Sequence, residues 1–187
     1  MPHVFEPAPT GRAKCRGCGK PIAKGELRFG ERIPNPFAEG ETTLWFHPLC
    51  AAYKRPESVL ETLGQATGSV PDPEPLERAA HASSAHRRLA RIDGAERSPS
   101  SVAKCRHCRE PIAKGVWRIR LRIYEEGMFS PAGFVHLTCR RPYFENNDDI
   151  LDHALHFSPD LSEEDRAELA CAVAADADPP PPRSGVK

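Results

Sequence analysis

Hydrophobic and polar residues alternate most regularly in "GVWRIRLRIY", residues 115–124. Trp117, Ile119, Leu121 and Ile123 fall on one face, and Val116, Arg118, Arg120 and Arg122 on the other. That period of two belongs to a half-buried β-strand, and it predicts an outward row of three arginines. "GELRFGERI", residues 25–33, has the same rhythm in weaker form, with Arg28 and Arg32 separated by Gly30. Two later stretches have helical character, "PLERAAHASSAHRRLARID" and "LSEEDRAELACAVAA". In the second, Ser162 followed by Asp165 has the form of an N-terminal cap with an acidic first turn. Both helices are expected to lean on their own half of the chain. "TGSVPDPEP" and "GAERSPSS" read as flexible by composition, and the tail "DADPPPPRSGVK" as disordered or polyproline-like.

The two strand-like stretches belong to a longer repeat. "AKCRGCGKPIAKGELRFGERI" begins at Ala13 and "AKCRHCREPIAKGVWRIRLRI" at Ala103, with 13 of 21 positions identical. A self-match at fixed offset defines the architectural unit. What it preserves here is cysteines, a turn and basic side chains more than apolar bulk. The expected organisation is a first module over residues 1–95, a second over 96–178, and a tail over 179–187.

Composition fits two small units better than one large core. The 187 residues are 39% hydrophobic and only 7% aromatic, with 20 prolines, so each module falls in the size range where metals or disulfides assist folding. Net charge is zero, but it is unevenly placed. Residues 97–122 hold eight basic side chains and one acidic, whereas residues 123–178 hold three basic and thirteen acidic. Basic character therefore gathers beside the cysteines. No apolar run approaches the roughly 20 residues of a membrane span, and the first residues lack the apolar middle of a secretory signal. An intracellular, reducing location follows as an expectation: cytoplasmic and nucleoid-associated if bacterial, nuclear if eukaryotic.

In a reducing compartment paired cysteines more often bind metal than form structural disulfides. Cys15 and Cys18 form C-x-x-C, followed after 28 residues by His47-x-x-Cys50; Cys105 and Cys108 are followed after 27 by His136-x-x-Cys139. Each copy offers three thiolates and one imidazole, the ligand set of a closed tetrahedral zinc site. Two such sites predict two Zn2+ per chain and small α+β modules in tandem, each a short antiparallel sheet plus helices around a Cys3His centre. Four protein ligands leave no coordination position for water, so the sites read as structural. No catalytic triad order, phosphate-binding loop or dinucleotide fingerprint is present, and the expectation is a protein that is not an enzyme. Gly17 and Gly19 suit a tight knuckle; His107 and Arg109 replace them in the second copy, His107 as a surface residue. Cys171 reads as a small buried helix residue. His3, His81, His86, His153 and His156 have no repeat counterparts and read as scattered polar side chains.

At these residues the sequence resembles the zinc finger found in tandem in poly(ADP-ribose) polymerases and singly in one class of DNA ligase. The shared text is "GRAKC", "KPIAKGELR" and "LWFHPLC" in the first copy, and "SVAKC", "EPIAKGVWR" and "GFVHLTC" in the second. The resemblance implies recognition of DNA strand breaks with little sequence preference. Arg12 matches the arginine of the family's "GRA", and Arg28 and Arg118 match its arginine thirteen positions after the first Cys. Phe37 and Phe129, with Met128, fall in the loops that stack on an exposed base pair in that family. Val102 stands where a basic residue is usual.

The basic residues give a compatible picture without the family. Alternate strand positions place guanidinium groups about 7 Å apart, close to the phosphate spacing of a nucleic-acid strand. The candidate DNA-contacting set is therefore Arg12, Lys14, Arg16, Arg28, Phe37, Lys104, Arg106, Arg118, Arg120, Arg122 and Phe129. The expected partner is broken or nicked DNA, with any enzymatic output supplied by a partner protein, since the length leaves no segment for a transferase or ligase domain. No membrane or small-molecule substrate is expected. A protein–protein adaptor with purely structural zinc, or an RNA-binding protein, are the alternative readings.

Overall fold

The computed structural model describes residues 3–35, 37–65, 70–86, 88–125, 127–145 and 149–175. The chain folds as the same small unit twice. In the first, β1 (Val4–Pro7), β2 (Leu27–Pro34) and β3 (Glu41–Phe46) form an antiparallel sheet in that order, followed by α1 (Pro48–Lys54), α2 (Pro56–Gln65) and α3 (Glu74–Ser84). In the second, β4 (Arg91–Arg97), β5 (Trp117–Glu125) and β6 (Met128–His136) form the sheet. A short 3-10 turn, Leu137–Cys139, then leads into α4 (Arg140–Phe144), α5 (Ile150–His156) and α6 (Glu163–Ala175). The α+β expectation holds for both units. Among the described residues no helix is long and apolar enough to cross a membrane.

Alternation along β5 is as read from the sequence on its apolar side: Trp117, Ile119 and Leu121 are buried against Ile92, Ala95 and Val135. Pro131 cannot donate to the ladder, and the β5–β6 register slips between Leu121 and Arg122, where Gly133 takes a left-handed φ of 96°. The first core is built likewise from Phe5, Phe29, Phe46 and the Ala51, Ala52 and Tyr53 face of α1.

Three expectations need correction. The boundary between residues 95 and 96 falls inside β4, which pairs Ile92 with Leu121 and Arg97 with Trp117; the end of the predicted first helix and the start of "GAERSPSS" are this strand. Ile92 is fully buried, so tertiary burial overrides the local turn composition. The second correction concerns the arginine row, whose members are turned to acidic partners, as described below. The third concerns Cys171, which is exposed; α6 packs through Leu169, Ala172 and Val173 instead. The packing expected of the two trailing helices holds: α3 lies against α1 and α2 of its own unit. α6 also stays on its own unit, capped by Ser162 Oγ accepting from Asp165 N at 3.1 Å and pinned by Trp117 Nε1 donating to Glu168 at 3.2 Å. Helix α5, which the sequence reading did not separate out, packs on β4 of its own unit and also reaches the first unit through His153 and His156. Residues 67–69 of "TGSVPDPEP" and the tail 176–187 lie outside the described residues.

The two units meet through α1. Lys54, with its side chain fully buried, donates to Ile92 O at 2.7 Å and pairs with Asp93 at 2.8 Å. Arg55 pairs with Glu31 at 2.7 Å while lying 4.6 Å over the Tyr124 ring. Tyr53 stacks on His153 at 4.2 Å. Phe129 packs on Tyr124 and, edge-on, on Phe46 of the first core. Its approximate counterpart Phe37 lies in the β2–β3 loop and is 80% exposed. Phe129→Ala is therefore expected to cost about 2 kcal/mol, and Phe37→Ala close to nothing; urea unfolding of the zinc-loaded variants checks the difference.

Candidate metal centres and basic surface

Each C-x-x-C lies on a knuckle after the first strand of its sheet, and each H-x-x-C lies where the last strand passes into helix. The sheet brings them together: in the knuckle Arg16 N donates to Trp45 O at 2.8 Å, and Arg106 N to Phe134 O at 2.8 Å. Cys15, Cys18, His47 and Cys50 converge, as do Cys105, Cys108, His136 and Cys139, with all ligand atoms of a set within 4.8 Å of one another. His47 Nδ1 is 3.4 Å from Cys18 Sγ and 4.0 Å from Cys50 Sγ. His136 Nδ1 is 3.4 Å from Cys108 Sγ and 3.9 Å from Cys139 Sγ. Ligands about 2.1–2.3 Å from a tetrahedral ion sit roughly 3.6 Å apart, so both sets fit zinc. Each is a Cys3His zinc site, two per chain, as the spacing predicts.

Outer contacts fix the imidazoles. His136 Nε2 lies 3.3 Å from Pro111 O, and His47 Nε2 lies 3.7 Å from a Glu26 carboxylate oxygen. Both arrangements leave Nδ1 to the metal. Backbone N–H groups of His47 and His136 donate to Cys15 Sγ at 3.3 Å and Cys105 Sγ at 3.4 Å. Three crowded sulfurs cannot ionise independently. Hydrogen bonding among them holds the Cys18 thiol well below its usual range and Cys50 well above it. Burial with neighbouring sulfurs pushes Cys139 up to about 12. A dication among them relieves this repulsion and favours the deprotonated ligand set.

Knuckle geometry explains the glycines. Gly19 has φ 76° and its counterpart Arg109 has φ 68°, so the second copy makes the same left-handed turn with a side chain present. Gly17 has a different function, because a Cβ there would meet Cys50 Cβ at 2.9 Å.

The sites differ in enclosure. Cys15 and Cys50 are buried, whereas Cys108 is exposed and Cys139 half-buried. The cover comes from the other unit: His156 at the end of α5 places Nε2 3.1 Å from Cys50 Sγ. This side chain, read from the sequence as a scattered polar residue, is a direct neighbour of the first zinc set. No repeat partner marked it, and among the described residues no equivalent lies beside the second site.

The basic candidates divide by structure. Arg28 and Arg118 are buried; they pair with Glu6 and Glu96 and lie 3.4 Å over the Trp45 ring and 3.6 Å over the Phe134 ring. Expected as phosphate contacts, they act as internal struts, stacked on the residue two before the ligand histidine. Glu6 and Glu96 sit at the same 90-residue offset, a signal the sequence reading passed over. Arg120 donates to Asp93 O and Phe157 O and pairs with Glu96 at 3.1 Å, and Arg122 pairs with Asp93 at 3.3 Å. Both stay partly exposed. Arg12, Lys14, Arg16, Lys104 and Arg106 are exposed around the knuckles. A cleft of about 550 Å³ joins Arg16 and Lys20 of the first knuckle to Arg120 and Arg122 of the second sheet, with Asp93 and Asp160 on its wall. Another, about 520 Å³, is lined by Arg88, Arg106 and Arg109 with Glu125 opposite.

Residues 6–82 match the family model described as the poly(ADP-ribose) polymerase and DNA-ligase zinc-finger region. The Poly [ADP-ribose] polymerase of Drosophila melanogaster is 31% identical over 142 residues, 67% of this chain and 14% of that protein. Poly [ADP-ribose] polymerase 1 of Oryza sativa subsp. japonica is 27% identical over 139 residues, 71% of this chain and 14% of the relative. Poly [ADP-ribose] polymerase 1 of Gallus gallus is 38% identical over 61 residues, 33% of this chain and 6% of the relative. The chain thus spans about 14% of the length of the first two relatives.

His156→Ala is expected to weaken zinc at the first site by about 10–100-fold, the usual effect of losing an outer-shell partner, and to leave the second unchanged. Chelator competition on the intact chain checks this; in the parent protein the more exposed second site gives up its metal first.

Proposed function

This chain is a zinc-finger protein of the poly(ADP-ribose) polymerase type, and on that premise we propose that it recognises DNA strand breaks, gripping backbone phosphates without sequence preference. One observation carries the reading. The first unit presents exposed Arg12, Lys14, Arg16 and Lys20 around a zinc knuckle and also keeps Phe37, a loop aromatic, 80% exposed. Cations outside ion pairs supply phosphate affinity, and an exposed ring has a face free for a base.

The contribution of each unit then differs. Phe129 is engaged at the joint, which leaves Phe37 as the base-stacking aromatic and Met128, 56% exposed, as the apolar residue at the tip of the second hairpin. Arg16, Lys20, Arg120 and Arg122 serve one cleft, so both units supply cations to a common surface. Arg28 and Arg118 support that surface from within. The zinc ions hold shape and take no part in chemistry, because each ligand set is closed. The activity proposed for these residues is binding, with catalysis left to a partner protein; an intracellular location accompanies that role.

Fluorescence anisotropy with nicked, gapped, intact and single-stranded oligonucleotides tests the proposal. Nicked duplex is expected to bind more tightly than intact duplex, and affinity to fall steeply with salt. Combined Lys14→Glu, Arg16→Glu and Lys20→Glu should lower affinity at least about ten-fold and flatten the log–log salt slope by roughly 0.9 per lost phosphate contact, with both zincs retained. Phe37→Ala should remove about 1–3 kcal/mol of preference for the break. Equal affinity for nicked and intact duplex would overturn break recognition; no DNA affinity at all, or affinity for RNA alone, would overturn DNA binding.

A further inference from the structure

Three side chains that the zinc fingers do not use meet inside the joint between the units. His86 follows α3 of the first unit, Asp149 immediately precedes α5 of the second, and His153 lies one turn along α5. All three are buried, and His153 is fully so. His86 Nε2 is 2.8 Å from Asp149 Oδ1, and His153 Nδ1 is 3.6 Å from Asp149 Oδ2. One donor atom from each lies within 4.8 Å of the others.

We propose that His86, Asp149 and His153 form a third divalent-cation site, a His2Asp site for a zinc-like ion that clasps the two units together. Helical spacing supplies two of its three ligands: a carboxylate and an imidazole four residues apart project from one face of a helix start. The remaining imidazole comes from the other unit, so the site exists only when the units are docked.

A hydrogen-bonded cluster without metal accounts for less. It pairs His86 with Asp149, but neither ring nitrogen of His153 has a hydrogen-bond partner among the described residues, and Nδ1 of His86 has none either. Burying an imidazole with both nitrogens unpartnered is costly. A cation bound by His153 Nδ1 removes one of these deficits. Ligands about 2.0–2.1 Å from a tetrahedral ion are roughly 3.4 Å apart. The His153–Asp149 separation already suits that, and the His86–Asp149 contact would lengthen by roughly half an ångström. Ser83 Oγ, 3.3 Å from Asp149 Oδ2, adds a further oxygen donor beside the three.

The surroundings favour a bound ion. Burial pulls His153 down to about 3, so its ring is neutral and fit to ligate at ordinary pH. Tyr53 stacks on His153 at 4.2 Å, Phe144 lies 5.0 Å from His86, and Phe157 lies 5.5 Å from His153; these rings form an apolar wall of the kind that surrounds metal centres. The nearby cations Lys54 and Arg91 are paired with Asp93 and Glu57, which lessens their opposition to a dication. Two imidazoles and one carboxylate select a borderline ion such as zinc, cobalt or nickel over calcium or magnesium. The inference stands apart from the DNA-binding proposal.

Cobalt titration of the metal-free full-length chain tests it, with metal content by plasma mass spectrometry alongside. The expected result is saturation at three ions per chain: two bring thiolate-to-cobalt charge-transfer bands, and the third adds ligand-field absorption without them. Asp149→Asn and, separately, His86→Gln should hold two ions with the charge-transfer bands intact. Saturation at two in the parent chain overturns the proposal even if neither variant folds. Retention of the third ion by both folded variants overturns it equally, by placing that ion elsewhere.

Discussion

Closure of two remote segments onto one ion is the constraint from which the rest of each unit follows. Twenty-eight residues separate Cys18 from His47, and 27 separate Cys108 from His136. Tethering a loop of that length costs roughly 3–4 kcal/mol by the chain-entropy estimate used for crosslinks, whereas structural zinc in finger peptides contributes about 10–16 kcal/mol. The metal term is the larger, and it allows a three-stranded sheet with a small core to persist. Once both ligand pairs are held, the intervening chain has to run out and back as a hairpin, and that hairpin forms two of the three strands.

The same closure fixes where charge can go. With the hairpin anchored, the guanidinium thirteen residues after the first cysteine is trapped between a first-strand glutamate and the aromatic residue two before the ligand histidine. The arrangement recurs with Arg28, Glu6 and Trp45 and with Arg118, Glu96 and Phe134. Identical placement in two sequences that differ in the ring indicates a requirement of the module. A buried guanidinium needs a carboxylate for its charge and a π-face for its plane. On the proposed DNA-binding reading, phosphate contact then falls to exposed knuckle residues such as Arg12, Lys14, Arg16 and Lys20, whereas Arg106 of the second knuckle already donates to Ala132 O of β6.

Ligand spacing made the zinc centres legible, because four side chains of fixed type and order have few other uses, and β5 was legible because its alternation is strict. What stayed hidden depended on contacts between the copies. Arg118 looked outward on periodicity alone, since alternation separates two faces without saying which acidic residue covers the polar one. Strand β4 was lost to its own composition: Gly94 and the following Ser and Pro residues signal a turn, yet Gly94 has φ 112° and sits where a Cβ would clash with Ser158 and Arg120. His86, His153 and His156 carry no repeat partner, and the sequence reading treated that as absence of function. The opposite inference is sounder here. A side chain present in only one copy serves whatever the copies do not share, and what they do not share is the joint.

That joint changes how two weak modules act together. A flexible tether raises avidity through effective concentration and leaves each unit to find its own contact. Here Lys54, Arg55, Tyr53 and Phe129 engage the opposite unit directly, and His156 reaches its neighbour's zinc set. For the proposed DNA binding, the gain would then be one of preorganisation, because these contacts hold the cationic knuckles in one relative placement. A rigid pair discriminates by shape: it accepts a backbone that already follows the spacing of its cleft, or one free to bend into it. Continuous duplex resists bending, while a nick or gap removes stacking at one step and lets the helix hinge. On the proposed strand-break reading, selectivity for interrupted DNA would draw on this fixed placement of the units, with base stacking by Phe37 adding to it.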